Sequence, residues 1–509
     1  MHHRHCSIPN QQVRLASHMI AHQGIYGFVS QLSREHSISR QSLYTLKSRG
    51  QEAMEHVFSP KQQRRGQEEV LIERAVLILF TEAHASREGI QRCIEDILGE
   101  HVSTGKISAI IHEAGRRAQE WLAQHIPEGM RVLAIDEQYG SKRGEAYLNI
   151  VDAHSAFILA SVPPVAVDGE SWSILLLHMQ GQGLKWRIAV SDGGKAIQKA
   201  LQEITPDNIH QRDLWHVLHE CQKSQGRVER AVKKLQEQIP VVERQAKRVA
   251  AGQKPLGKNP KTDVGAHVAE CQQMEYVAVS LYYLTSELRR LLGIIVLTEQ
   301  GILGSTARQE ELNALLDLFA ELCEVTPSTM KKEVEKLFHH VQAALPGLLS
   351  FSQDLDAVQQ KTTRQLGEAA VHLIGWAWQR RAILGPKRDQ FVADFPPAWQ
   401  HAAAELLGAW DQAVRSSSVV ENWHSILRPY LAVHRHLSAD MLAILAVWHN
   451  HRVASHGMHK GLSPLIRSGL AREPTDWLVA LGYPPASPYP KQVQNSIDTT
   501  NMEIESIAA

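Results

Sequence analysis

The sequence predicts an α/β protein with a central mixed five-stranded sheet, helical domains ahead of the sheet and a large all-helical insertion within it. Three observations support this fold class. Apolar residues recur at helical spacing up to about residue 124. Short runs of β-forming residues follow one another between residues 132 and 212. From about residue 214 to 408, helical spacing returns without a strand pattern.

The composition is that of an ordinary folded protein. Of the 509 residues, 43% are hydrophobic and 21% are charged, which excludes a wholly disordered or collagen-like chain. The longest apolar runs, such as 75–80 and 291–297, are far shorter than the roughly 20 residues of a membrane helix. The first residues lack a secretory signal core, and the five cysteines form no close pair. We therefore expect a reduced, cytoplasmic protein of roughly three or four domains.

The net charge of +0 hides two basic blocks. Residues 1–66 carry nine Lys and Arg against three Glu, and residues 222–262 carry eleven against three. Two separated basic blocks in a neutral chain are typical of a modular nucleic-acid enzyme. Solvated helix faces explain each block, taken alone, equally well.

Residues 1–66 are predicted to form a helix-turn-helix domain. Apolar residues between Phe28 and Leu46 follow helical spacing with one break, and Ser39 is a good N-cap for the second helix. That helix would present four DNA-contacting side chains: Arg40, Gln41, Tyr44 and Lys47. Any small helical hairpin can show the same pattern.

Residues 67–128 are predicted to form a second helical unit, with helices over 68–85, 87–99 and 104–124. The last helix offers four basic side chains: Lys106, His112, Arg116 and Arg117. A DNA-reading role and a spacer role fit this unit equally well.

The next segment, residues 129–221, carries the strand pattern. Two apolar runs end in Asp136 and Asp152, and a third covers 157–162; the short joins between them predict antiparallel pairing. A helix, a strand ending before Asp192, a second helix and a short strand near 208–212 follow. Three antiparallel strands, then helix, strand, helix and strand, is the element order of an RNase H-like fold.

The remaining chain is predicted to divide into three parts. Residues 222–408 form the all-helical insertion, with a loop over 252–262. Residues 409–483 return to the core, and the polar, Pro-rich tail 484–509 is expected to be disordered.

The strand-end acids carry the chemistry. In such a sheet the first and fourth strands are neighbours, so Asp136 and Asp192 can meet, and two adjacent carboxylates require a screening cation. Mg²⁺ favours oxygen ligands, and a two-metal site activates a water or 3′-hydroxyl at a phosphodiester. Strand alternation turns Glu137 away from this site. The alternative is that each Asp merely ends a strand.

A third acid is expected on a helix after the sheet. Glu421 follows three serines that are predicted to cap its helix, and Val420, Trp423 and Leu427 would pack on the sheet. Glu405 and Asp411 are rival candidates on an adjacent helix, without the basic and aromatic neighbours.

These residues resemble the DDE transposases and integrases of mobile elements, over about 131–221 and 415–470. Asp192 follows Asp136 by 56 residues, and Glu421 follows Asp192 by 229. The long second gap is similar to the helical insertion of hAT, Mutator-like and related bacterial groups. Asp213 and His216 match their signature of Cys or Asp, two residues, then His. The segments 448–452 and 461–464 resemble the ending of many integrase-type cores.

The resemblance implies a transposase that cuts element ends and joins 3′-hydroxyls to target DNA. It implies Mg²⁺, replaceable by Mn²⁺, held by Asp136, Asp192 and Glu421. Partners would be transposon-end and target DNA and further copies of the chain, as a homodimer or larger oligomer at the nucleoid. Four further basic residues are expected to contact DNA: Lys254, Lys258, Lys261 and Arg428. An RNase H-like nuclease and a DNA-binding regulator derived from a transposase are the alternatives.

Overall fold

The computed structural model describes residues 9–58, 61–257, 260–299, 301–384, 390, 392–457 and 459–485. These residues fall into two compact units. One unit comprises the chain up to Ile110 together with the residues from Gly482 onward, and the other comprises Ile111–Leu481. The finer domain boundaries expected from the sequence stay predictions.

The first unit is helical. Its elements are α1 (Pro9–Ala21), α2 (Phe28–His36), α3 (Arg40–Phe58), α4 (Lys61–Thr81), α5 (Arg87–Leu98) and the start of α6 (Thr104–Gln124). Ser39 accepts a hydrogen bond from Ser42 N over 3.1 Å at the start of α3, as expected of an N-cap. Ser86 caps α5 in the same way, through Gly89 N.

Helix α1 was not expected from the sequence. It contributes Leu15 and Met19 to a small apolar core that also contains buried side chains of α2 and α3 and the turn between them: Leu32, Ile38 and Leu43. A Cβ at Gly50 of α3 would lie 2.9 Å from the Ala16 Cβ, so α1 and α3 approach closely there. The predicted helical hairpin therefore carries a third helix on its face.

The second unit is built around a mixed sheet. Among the described residues its strands are β1 (Met130–Tyr139), β2 (Glu145–Asp152), β3 (Ile158–Ala166), β4 (Lys185–Ser191) and β5 (Ile209–Arg212). They lie in the order β3-β2-β1-β4-β5. β1, β2 and β3 pair antiparallel, whereas β1, β4 and β5 pair parallel. The predicted mixed five-stranded sheet is confirmed.

Connection length explains these pairings. Short turns join β1 to β2 and β2 to β3, and only antiparallel neighbours can be joined so tightly. α7 (Gly169–Gly181) and α8 (Lys195–Ile204) make the crossovers that parallel β4 and β5 require. The amphipathic α8 buries Ile197, Ala200 and Leu201 and leaves its polar face exposed.

A helical region follows the sheet, with a shared apolar core. Its elements are α9 (Leu214–Ala250), α10 (Val264–Leu291), β6 (Leu297–Thr298), β7 (Gly301–Ile302), α11 (Ser305–Val325), α12 (Ser328–Gln342), α13 (Leu345–Leu366), α14 (Glu368–Gln379), α15 (Arg381–Leu384) and α16 (Pro397–Asp411).

The prediction of an insertion without strands is wrong in one place. β6 and β7 form a short antiparallel ladder within the region where only helices were expected. α10 ends at Leu291, and Gly301, with φ of 130°, makes the turn into β7. Apolar composition alone did not distinguish this short ladder from the end of a helix.

The chain then returns to the sheet through α17 (Ser418–Val433), α18 (Ala439–His451), α19 (Pro464–Arg467) and α20 (Trp477–Ala480). α18 is buried from Met441 to His451. Asn450 ties its end to β3, because its side chain accepts from Ile158 N and donates to Ile158 O. The predicted disordered tail lies outside the described residues from residue 486 onward. No helix in the described part of the chain is both long enough and apolar enough to cross a membrane.

Candidate active site

The register of β1 and β4 determines where their acids lie. The two strands run parallel, and Ala134 pairs with Val190. Asp136 and Asp192 each come two residues further along, so they occupy the same level at adjacent positions of the sheet. The predicted meeting of the first and fourth strands is therefore present in the backbone.

Asp136 is the most perturbed acid of the site. Its side chain is 21% exposed. Its pKa is raised to about 7, with burial as the largest cause; one backbone hydrogen bond opposes the shift, and the negative charges of Asp192, Glu137 and Glu421 add to it. The three neighbouring carboxylates are thus close enough to act on Asp136 electrostatically.

His424 lies beside Asp136, and sequence reasoning did not single it out. Its Nδ1 is 3.7 Å from Asp136 Oδ2. Burial, together with a smaller contribution from the positive charge of Arg428, lowers the pKa of His424 to about 4, so the imidazole is neutral near pH 7. It therefore does not balance the negative charge of Asp136.

Asn149 on β2 anchors the helix that carries Glu421. Its Oδ1 accepts hydrogen bonds from Trp423 Nε1 and Ser161 Oγ, over 3.0 and 2.7 Å. Its Nδ2 lies 3.1 Å from His424 Nε2. Val420, Trp423 and Leu427 are fully buried, which agrees with the predicted apolar face of this helix.

Glu421 lies in the first turn of α17 with its side chain 48% exposed, and its Oε1 is 3.3 Å from His216 Nε2. The prediction that a serine caps this helix is confirmed in position, but the expected side-chain cap bond is not formed. Ser417 stands at the N-cap position without a side-chain cap bond. Its backbone N and its hydroxyl both donate to Asp213 Oδ2 instead, over 2.8 and 2.6 Å.

Asp192 is exposed and sits on a tight turn. Its Oδ1 accepts a hydrogen bond from Gly194 N over 2.8 Å. Gly193 has φ of 87°, and a Cβ there would lie 1.5 Å from Arg212 Nη1. The same guanidinium donates to the backbone oxygens of Asp192 and Gly193. Only glycine fits this turn.

Glu137 lies closer to the site than strand alternation predicts. Its carboxylate accepts hydrogen bonds from Trp172 Nε1 and Tyr139 Oη, over 2.9 and 3.2 Å. Glu137 Oε1 and Asp192 Oδ1 both lie within 4 Å of the point where a Gly194 Cβ would stand. Glu137 therefore adds a fourth carboxylate to the neighbourhood of Asp136, Asp192 and Glu421. It lies near Asp192, on the other face of β1 from Asp136.

The rival acids are engaged elsewhere. Glu405 pairs with Lys361 Nζ over 2.7 Å, and Asp411 accepts a hydrogen bond from Trp378 Nε1 over 2.8 Å. Among the described residues, no group of three or more His, Cys, Asp or Glu side chains is arranged to hold a metal ion. The carboxylates are neighbours without forming a preassembled cage.

The residues expected to contact DNA differ in how exposed their side chains are and in whether they already pair within the protein. On α3, Arg40, Gln41 and Tyr44 are exposed, and Lys47 is half-buried. In the second block, Lys254 is exposed, whereas Lys261 pairs with Glu270 over 2.6 Å. Lys258 lies outside the described residues. Arg428 is exposed on α17.

The basic residues of α6 are mostly paired within the protein. Lys106 binds Glu69 over 3.1 Å, His112 lies 2.6 Å from Asp440, and Arg117 binds Glu113 over 2.8 Å. Arg116 also pairs with Glu113, over 2.9 Å. Of the two roles left open for this unit, these pairs favour the spacer.

Comparison with known families adds an independent observation. The model of the family described as Transposase, Mutator family, matches residues 54–247. Over these residues the chain is similar to the Mutator-family transposases. The resemblance to transposases is therefore confirmed. No curated protein is significantly similar to the chain.

The matched residues 54–247, here called the Mutator-type segment, contain both candidate catalytic aspartates and both signature residues: Asp136, Asp192, Asp213 and His216. It ends before Glu421. The third acid is therefore connected to the segment through the fold alone, by the contacts of α17 with the sheet and with the start of α9.

Proposed function

We propose that the chain is a DDE-type DNA transposase, which binds element ends and catalyses metal-dependent phosphodiester hydrolysis and strand transfer. The similarity of residues 54–247 to Mutator-family transposases supports the class. The strand order β3-β2-β1-β4-β5 supports the RNase H-like core that the element order predicts.

The concentration of negative charge at Asp136 supports the catalytic assignment most strongly. Asp192 and Glu421 come from distant parts of the chain, yet both raise the pKa of Asp136, after burial as the largest cause. Like charges gathered at one sheet edge lower stability, and strongly perturbed acids of this kind cluster at functional sites. His424, which is neutral near pH 7, leaves that charge for a cation to balance.

The donor chemistry fits Mg²⁺. Carboxylate oxygens are its preferred protein ligands, and Mg²⁺ usually takes one or two carboxylates together with substrate phosphates. Asp136, Asp192 and Glu421 would hold it, and Mn²⁺ could replace it. When bound, such ions activate the attacking water or 3′-hydroxyl and stabilise the leaving oxygen.

The protein residues then have separate tasks. The carboxylates would bind the cations and so orient the attacking group. The turn at Gly193 holds Asp192 at the end of β4. Arg428, exposed on the same helix as Glu421, is available for a DNA phosphate.

Element-end recognition is assigned to α3. Arg40, Gln41 and Tyr44 are exposed on a helix whose other face is buried against α1 and α2, which is the arrangement of a recognition helix. Lys254, Lys258 and Lys261 would bind phosphates. The working form would be a homodimer or larger homo-oligomer on DNA at the nucleoid.

Strand cleavage by the full chain tests this proposal. The substrate is duplex DNA carrying the sequences that flank its reading frame, incubated with Mg²⁺ or with chelator. We expect cleavage with Mg²⁺ only. We expect D192N to lose roughly a thousandfold or more, because bound metal supplies several kcal/mol of transition-state stabilisation. The matched control is D207N, an exposed Asp on the loop before β5. Equal cleavage by both variants would contradict the proposal.

A regulator derived from a transposase is the second candidate. The lack of a preassembled three-ligand group among the described residues favours it. In the same experiment a regulator would shift the mobility of the flanking DNA without cutting it under any metal condition.

A further inference from the structure

The buried carboxylate of Asp213 joins the starts of two helices that are distant in sequence. Its Oδ1 accepts hydrogen bonds from Trp215 N and His216 N in the first turn of α9, over 2.8 and 3.2 Å. Its Oδ2 accepts from the backbone N and hydroxyl of Ser417, immediately before α17. Asp213 is 2% exposed and Ser417 is 1% exposed.

This arrangement explains how a charge is tolerated in the interior. Asp213 lies at the N-termini of both α9 and α17, where helix dipoles and free N–H groups favour an anion. Four hydrogen bonds reach its two oxygens. The carboxylate is therefore satisfied without a cation, and a metal-binding role is not needed to account for it.

Backbone contacts extend the junction. Leu214 N donates to Arg415 O over 3.0 Å, and the Gln211 side chain donates to Val414 O over 3.1 Å. The segment that returns from the helical insertion is thus bound along the end of β5 before α17 begins. Its position is set by the same residues that start α9.

The two helices touch again one turn later, at the candidate catalytic acid. His216 Nε2 lies 3.3 Å from Glu421 Oε1. His216 is three residues after Asp213, and Glu421 is four residues after Ser417, so both contacts lie along one shared edge. Both contacts therefore join the start of α17 to the start of α9.

We propose that Asp213, Ser417 and His216 are positioning residues that return Glu421 to Asp136 and Asp192 after the long insertion. This inference rests on the proposed function for the role of Glu421. The Asp–x–x–His signature would then serve the third acid of the site, which lies outside the Mutator-type segment. The residues themselves need touch neither metal nor DNA.

Hydrogen exchange on the full-length protein tests the placement without any substrate. We expect D213N and S417A to raise amide exchange over 418–421 by roughly tenfold or more, since a hydrogen bond to a charged group is lost. Exchange in β1 and β4 should stay unchanged. S417T, which keeps the hydroxyl, is the matched control and should behave as wild type. Unchanged exchange over 418–421 in both D213N and S417A would overturn the proposal.

Cleavage kinetics test the orientation by His216. We expect H216A to lower kcat at least tenfold with KM for DNA unchanged, and H216Q to recover much of that loss, because its Nε2 can donate to Glu421. H219Q is the matched control, since His219 stacks on Trp215 one turn further along α9. Equal losses in H216A and H216Q would overturn this part. If the wild type cleaved no DNA while the exchange result held, the proposed function would fail and the positioning would stand.

Discussion

Trp423 on α17 donates its indole N–H to Asn149 Oδ1 on β2, over 3.0 Å, at a point where both residues are fully buried. Asn149 also accepts from Ser161 and lies against His424. The buried amide of Asn149 therefore helps to connect the helix of Glu421 to the sheet of Asp136.

Replacing Asn149 by Ala should destabilise the protein by roughly 2–4 kcal/mol, because it leaves the buried Trp423 N–H and the half-buried Ser161 hydroxyl without this acceptor. Denaturant unfolding measures the change. N422A, at an exposed position of the same helix, is the control. A loss below about 0.5 kcal/mol, the range of ordinary surface changes, would show that the network carries little stability.

The Gly193 turn should tolerate no side chain. G193A forces a Cβ into the Arg212 guanidinium at a φ of 87°, so we expect a loss of roughly 1–3 kcal/mol from backbone strain and a fall in cleavage rate. G181A, at the end of α7 with open space around the new methyl, should be neutral. Thermal melting of both variants makes the comparison, and equal melting temperatures would contradict it.

DNA contacts should divide into two classes. Substituting Arg40 or Tyr44 by Ala should weaken binding to element ends and relax base preference. K254A should weaken binding to most sequences about equally and lower the salt slope by about 1. K261A should have a smaller effect, because Lys261 already pairs with Glu270. Binding titrations at several salt concentrations measure both classes, and a sequence-specific loss in K254A would refute the assignment.

Lowering the pH should lower the free energy of unfolding, because the buried His449 resists protonation. Burial lowers the pKa of His449 to about 4, so the unfolded chain takes up its proton near pH 6.5 before the native protein does. Stability from His449 is therefore complete above about pH 6.5 and is lost as the pH falls toward 4, by up to roughly 1.4 kcal/mol per pH unit.

Urea unfolding of wild type and H449Q between pH 7.5 and 4.5 measures this contribution. Asp136, whose pKa is raised, changes stability with pH in the opposite direction. Because Asp136 is present in both proteins, the difference in stability between H449Q and wild type isolates the contribution of His449. H436Q, at an exposed position, is the control. A difference between H449Q and wild type that is independent of pH would contradict the expectation.

The sheet could be predicted from sequence because strand length, turn length and terminal acids are local properties. Asp136 and Asp192 follow from that pattern, since neighbouring parallel strands bring their ends together. Glu421 depended on the family resemblance as well, since nothing local connects it to the sheet across 229 residues.

The rest depends on tertiary contacts. Nothing near Asn149 or His424 in the sequence indicates that they meet, and Ser417 is a plausible helix cap until Asp213 is seen to take its hydroxyl. Helix α1 begins with polar residues and was not predicted; the surface that it covers is supplied by α3, a separate helix later in the sequence.

Strand cleavage by the full-length E421Q variant tests most directly whether the three carboxylates act as one site. E405Q is the matched control, because Glu405 is a rival acid that pairs with Lys361 on the helical region. With Mg²⁺ and flanking DNA, E421Q should lose cleavage by roughly a thousandfold or more while DNA binding stays unchanged, and E405Q should cleave as wild type. Near-normal cleavage by E421Q would contradict the shared site, and loss in E405Q instead would transfer the third role to Glu405.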